Sequence, residues 1–243
     1  MPRKDFDSRV ARIAALGEPV RRALYRFVGA QPSPVSRDEA AEGVGVPRHV
    51  AKFHLDRLEE DGLLDAEFKR PPGRTGPGAG RPSKLYRRSP DEVAVSLPDR
   101  RYEVAGKLMA DAITFAAHEH IPIEEALART SSELGSELGN EVRQRAGRGR
   151  GDALLSALSD VLDENGYEPR PDGSGLSLAN CPFHALAREH TDLVCGMNLG
   201  ILRGMIEQLP SDTLEARLDP APDRCCVRLC ERGSPPRASV PRA

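Results

Sequence analysis

The sequence has no tryptophan, and aromatic residues fill only 4% of its 243 positions. It contains nothing close to the ~18 to 20 consecutive apolar residues that span a bilayer. The opening Met-Pro-Arg-Lys-Asp-Phe-Asp runs straight into charged sequence without the apolar stretch of an export signal. Neither a membrane protein nor an exported one is expected, and a cytoplasmic location is. Neither sign of charge dominates, since 35 basic side chains face 37 acidic ones for a net charge of −2. Cysteine is missing until Cys181, and the five that follow are an odd number in a chain expected to be kept reduced. A disulfide framework is therefore not expected.

What is present fits a soluble globular chain. With 39% hydrophobic and 30% charged residues it can bury a real core, and its length suits one or two domains at roughly 150 residues each. The charge balance is uneven along the chain. Residues 1 to 100 carry 19 basic and 15 acidic side chains, and the remainder carries 16 and 22. Two domains that meet different partners are the expectation.

From Asp7 to Gln31, apolar residues recur at three- and four-residue steps around the interruption Gly17-Glu18-Pro19, which predicts two short helices. Ser36 and Glu39 have capping-box spacing and open a third helix, which Gly43 and Gly45 end. Pro47 suits the start of a fourth helix. Along it Val50, His54, Leu55 and Leu58 form an inward stripe, and Arg48, His49, Lys52 and Asp56 lie off it. His54 is expected to be a satisfied core histidine. Eight of the twelve positions 71–82 are Gly or Pro, which excludes a helix. The flanks Leu64 to Lys69 and Ser83 to Arg88 can pair as an antiparallel ribbon. Seven basic residues and no acid lie between Lys69 and Arg88.

Helix, helix, turn, helix and basic ribbon form the layout of a winged helix-turn-helix, whose recognition helix, here the one that Pro47 opens, enters the major groove. Long cationic side chains are what phosphates require, and Arg48, His49, Lys52, Arg70, Arg74, Arg81 and Lys84 are the candidates for DNA contact. Arg48 is the candidate for a base contact, because an arginine can pair bidentately with guanine. A solvated basic linker is the alternative for residues 69 to 88.

The runs Ala15-Leu-Gly-Glu-Pro-Val-Arg-Arg-Ala-Leu-Tyr, Val50-Ala-Lys-Phe-His-Leu-Asp-Arg-Leu-Glu-Glu-Asp-Gly-Leu-Leu and Gly80-Arg-Pro-Ser-Lys-Leu-Tyr-Arg resemble ArsR-type winged-helix repressors. The resemblance covers residues 8 to 90. It implies a homodimeric regulator on a palindromic double-stranded operator, with Pro47 to Asp61 as recognition helix and Arg70 to Lys84 as wing. The metal sensors of that family carry thiol ligands in the DNA-binding domain, and this half of the chain has no cysteine. Sensing is therefore expected downstream.

Beyond a connector from Ser89, helical patterns cover residues 101 to 118, 122 to 145 and 152 to 164. A hairpin follows around Pro171-Asp172-Gly173, then a short helix after Cys181, a longer one from Asp192 to Gln208, and strands at Leu214 to Leu218 and Cys225 to Cys230. The fold class is α+β: a winged helix-turn-helix over residues 1–90, a helical linker, an α+β sensory and dimerisation domain over residues 100–230, and a disordered tail over residues 231–243.

Asn180-Cys-Pro-Phe-His184, Cys195 and Cys225-Cys-Val-Arg-Leu-Cys230 gather soft ligands suited to zinc or an iron-sulfur cluster. Strand alternation puts Cys225 inward with Val227 and Leu229, and Cys226 on the other face with Arg228 and Cys230. Cys181, Cys195 and Cys225 are the favoured ligands, with His184 or Cys226 as the fourth and Cys230 a bystander. Buried or redox-active thiols are the alternative. The motif Asn180-Cys-Pro-Phe with Cys195 and Cys225 is also similar to the sensory domain of the SufR-like branch of these repressors. That similarity implies a cluster whose gain or loss changes operator affinity.

The alternatives are a regulator of a small organic ligand with structural zinc, and an enzyme fused to a DNA-binding module. Against catalysis, no Ser/His/Asp order, phosphate-binding Gly loop or HExxH motif stands out, and His118-Glu119-His120 fits a polar helix end.

Overall fold

The computed structural model describes residues 3–69, 82–173, 175–210, 214–221 and 224–233. The chain divides into two compact units, one of Pro2–Val95 and one running from Ser96.

The first unit contains α1 (Arg3–Ala15), α2 (Pro19–Ala30), β1 (Val35–Ser36), α3 (Arg37–Val44), α4 (Arg48–Glu60), β2 (Leu64–Lys69) and β3 (Ser83–Arg88). Glu18 starts α2 by accepting the amides of Val20 and Arg21, with Pro19 in the first turn, where its missing N–H is not needed. Ser36 and Glu39 form the reciprocal capping box that opens α3. Gly45 ends α3 in the left-handed region at φ 72°. Gly43 does not end it, contrary to expectation. It lies inside α3, where a Cβ would overlap the ring of Phe27, so its role is close packing.

α4 buries Ala51, Leu55 and Leu58 against Leu24, Val28, Ala40 and Ala41. The ribbon pairs antiparallel from Leu64 opposite Arg88 to Lys69 opposite Ser83. β1, absent from the sequence reading, adds a third strand through Val35 opposite Tyr86, in the order β1-β3-β2. Residues 70–81 lie outside the described residues, and with them Arg70, Arg74 and Arg81.

The second unit contains α5 (Tyr102–Glu119), α6 (Ile123–Ala146), α7 (Asp152–Glu164), β4 (Pro169–Pro171), β5 (Gly175–Leu178), α8 (His184–Glu189), α9 (Thr191–Glu207), β6 (Leu214–Leu218) and β7 (Val227–Glu231). Its antiparallel sheet has the order β4-β5-β7-β6. α6 and α9 pack with their backbones nearly touching, because a Cβ at Gly135, Gly139 or Gly204 would overlap the facing carbonyl of Ile201, Met205 or Ser132. The helical linker expected ahead of residue 100 is not found, since residues 89–101 carry no helix, and α5, within the expected sensory domain, contributes Ala105, Leu108, Ala112 and Ala116 to this unit's core.

Three expectations need correction here. Cys225 and Cys226 precede β7 and do not lie on it. Both faces of β7 are buried, Arg228 at 2% exposure included, because its guanidinium donates to the Asp172 carbonyl at 2.9 Å and pairs with the Asp172 carboxylate at 3.3 Å. Glu231 belongs to β7 and not to the tail, and residues 234–243 lie outside the described residues.

Candidate nucleic-acid interface and thiol cluster

The buried stripe of α4 leaves Arg48, His49, Lys52 and Phe53 exposed on the other side of the helix. Arg48 Nε lies 2.6 Å from Asp38, but both side chains are well exposed, so the pair contributes little and exchanges readily for a phosphate. Lys52 stands 3.9 Å from Asp56 with its own side chain exposed. Phe53 escaped the sequence reading, although its position off the inward stripe of α4 carried the signal. His54 is enclosed as expected, with Nδ1 accepting from Arg21 Nε at 3.5 Å and Nε2 lying 3.6 Å from Glu18.

Below this face lies a polar hub that joins α3, α4 and β3. Asp56 accepts from the Tyr86 hydroxyl at 2.6 Å, from Arg37 Nη2 at 3.0 Å and from Lys84 Nζ at 3.0 Å. Burial alone would raise the Asp56 carboxyl, but the hydrogen bonds from Tyr86, Lys84 and Arg37 outweigh it and bring the pKa down to about 2. Burial opposes the charge of Lys84, and its bonds to Glu59 and Asp56 raise its pKa regardless.

Lys84 is therefore not a free cation aimed at phosphate. It neutralises two carboxylates of α4 that would otherwise repel DNA. Arg57, with Glu60 at 3.4 Å and Asp61 at 3.1 Å, does the same for the end of the helix. Of the ribbon's cations, Lys69, Arg87 and Arg88 are exposed.

In the second unit four thiols converge from three segments: Cys181 after β5, Cys195 on α9, and Cys225 with Cys226 ahead of β7. Cys195 Sγ and Cys226 Sγ are 2.9 Å apart. Cys181 and Cys225 share a hydrogen bond that holds the Cys181 thiol below its ordinary range and pushes Cys225 well above it. Asn198 Nδ2 donates to Cys225 Sγ at 3.1 Å and is itself oriented by the Tyr167 hydroxyl, 2.7 Å from its Oδ1.

Asn180 accounts for the Asn-Cys-Pro-Phe turn. Buried itself, it donates to the carbonyls of Asp99 at 2.8 Å and Gly166 at 2.6 Å, while Arg100 donates to the Cys181 carbonyl at 3.2 Å. His184, one of the two candidates for a fourth ligand, is exposed at the start of α8, whereas Cys181, Cys195 and Cys225 are buried and Cys226 half-buried. Cys230 lies beside its strand partner Glu215 on β6. Among the described residues no three Cys, His, Asp or Glu side chains form a ready-made metal cage, and the four thiols stand as two pairs.

A solvent-open groove of about 450 Å³ lies between α5 and α6, lined by Phe115 as well as by Asp111, His118 and Arg129.

A family model described as a helix-turn-helix domain matches residues 16–67, from just after α1 into β2. No curated protein and no solved structure matches the chain. The match supports a DNA-binding transcription regulator. No helix among the described residues is long and apolar enough to cross a membrane.

Proposed function

We propose that this chain is a cytoplasmic, homodimeric repressor that lays α4 in the major groove of a palindromic operator and the β2–β3 ribbon on the adjacent backbone. The proposal further holds that Cys181, Cys195, Cys225 and Cys226 control this binding by holding an iron-sulfur cluster or zinc. The exposed face of α4 carries the first part: two long cations and a histidine sit beside a basic ribbon, and the nearby carboxylates are neutralised from within the fold. Such a surface offers positive charge to phosphates.

The thiol cluster supports the second part. Four soft donors from three segments fit zinc or an iron-sulfur cluster in kind and number. The exposed His184 leaves Cys226 as the better fourth ligand. A bound metal would replace the thiol-to-thiol contacts with bonds and tie the β5 loop, α9 and the β7 approach together. Similarity to the SufR-like branch points the same way, and homodimerisation and repression rest on the resemblance to ArsR-type repressors.

The test is made on protein purified without oxygen. Iron and zinc are quantified, and double-stranded DNA is selected from a random library with the metal present and after its removal. A stoichiometric metal and an enriched palindrome whose affinity changes when the metal is stripped are expected. Enrichment that is indifferent to metal would remove the control by the thiols, and no enrichment would remove the DNA-binding reading.

A further inference from the structure

We infer that Phe53 reads a base: its ring meets the 5-methyl group of a thymine and makes thymine a requirement of the DNA that α4 binds. The inference rests on α4 as the recognition helix and adds to that reading the base it selects. Phe53 is 64% exposed, whereas Leu55 and Leu58 of the same helix are fully buried. A single exposed apolar residue is ordinary on a protein surface. Phe53 is distinguished by its surroundings, since it lies one turn beyond His49 and next to Lys52, among the side chains turned away from the core.

The ring has one contact within the fold. It packs edge-on against His54 with centroids 5.1 Å apart and planes at 69°, and His54 lies between Arg21 and Glu18. A phenyl ring has no donor or acceptor with which to read the hydrogen-bonding edges of the bases, and it gains nothing from a phosphate. The apolar feature of the major groove is the thymine methyl, so a ring carried there by flanking cations discriminates thymine from the other bases. Arg48 and Lys52 supply the attraction to phosphate, and Phe53 supplies selectivity that salt does not screen.

The full-length protein is first used to select duplex DNA from a random library. Each thymine of the enriched sequence is then replaced in turn by deoxyuridine, which lacks only the methyl group, and affinity is measured by fluorescence anisotropy at fixed salt. Wild-type protein is expected to bind about four-fold more weakly when one defined thymine loses its methyl, the effect of one buried methyl-sized group. Phe53→Ala is expected to bind the thymine and deoxyuridine duplexes equally, and Phe53→Leu to keep the preference; an unchanged circular dichroism melt confirms that both variants fold. The inference is overturned if no deoxyuridine substitution weakens wild-type binding, or if the penalty persists in Phe53→Ala. Failure to enrich any sequence would instead overturn the DNA-binding reading, and this inference with it.

Discussion

Replacing Asp56 with asparagine tests whether the hub beneath the α4 face holds helix and ribbon together. The carboxyl's pKa falls from 3.8 to about 2 on folding, a shift that corresponds to roughly 2.4 kcal/mol at full value. The side chain remains 29% exposed, and solvent screening reduces that to about 1 to 2 kcal/mol. Asparagine keeps one oxygen for the Tyr86 hydroxyl but loses the charge that Lys84 and Arg37 share. Amide hydrogen exchange in α4 and β3 of the full-length protein should therefore accelerate by roughly 5- to 30-fold at neutral pH, with α5 to α9 unchanged as the internal control. The pH dependence has a definite sign. Because the folded pKa lies below the unfolded one, the stabilisation is complete above about pH 5, declines through pH 4 and 3, and is gone as pH falls through 2. Wild-type and variant melts should converge over that range. Unchanged exchange in α4 and β3, or acceleration spread evenly over both units, would refute the hub's role.

Gly135→Ala should destabilise the second unit by about 1 to 3 kcal/mol, since the new methyl overlaps the Ile201 carbonyl and outweighs the gain in helix propensity. Gly106→Ala, in open space on α5, should stabilise it by about 0.5 to 1 kcal/mol; thermal melts showing both substitutions with the same sign would contradict the α6–α9 packing argument. Tyr167→Phe leaves the buried Asn198 oxygen without its donor and should lower stability by about 1 to 3 kcal/mol in a denaturant titration, and a neutral result would dismiss that bond. Among the thiols, the proposed metal control predicts that Cys195→Ser and Cys226→Ser abolish the metal content of protein purified without oxygen, whereas Cys230→Ser leaves it unchanged. Metal analysis giving the reverse order would relocate the site.

The helices were legible in the sequence because their apolar periods are long and their punctuation is local. Ser36 with Glu39, Pro19 and Gly45 each act within a few residues, and the ribbon was legible because Gly and Pro isolate two strand-length flanks. Features decided at long range were not. β1 has two residues and exists through its pairing with β3. Lys84 looked like a phosphate ligand until the fold placed it against Asp56 and Glu59. Alternation along Cys225 to Cys230 put Cys225 on the core side, but it could not foresee that Arg228 would find Asp172 across the sheet and leave both faces of β7 enclosed. Spacing suggested that the thiols could meet; only folding distinguished the buried cysteines from the exposed His184.

The most direct test of the account is the affinity of the Arg48→Ala, Lys52→Ala double variant for the selected duplex at a fixed, moderate salt concentration. Losing these contacts should weaken binding by about 1 to 3 kcal/mol for each side chain that reaches the DNA, with an unchanged melt, and should flatten the dependence on salt. Unchanged affinity and an unchanged salt slope would mean that α4 is not the surface that binds DNA.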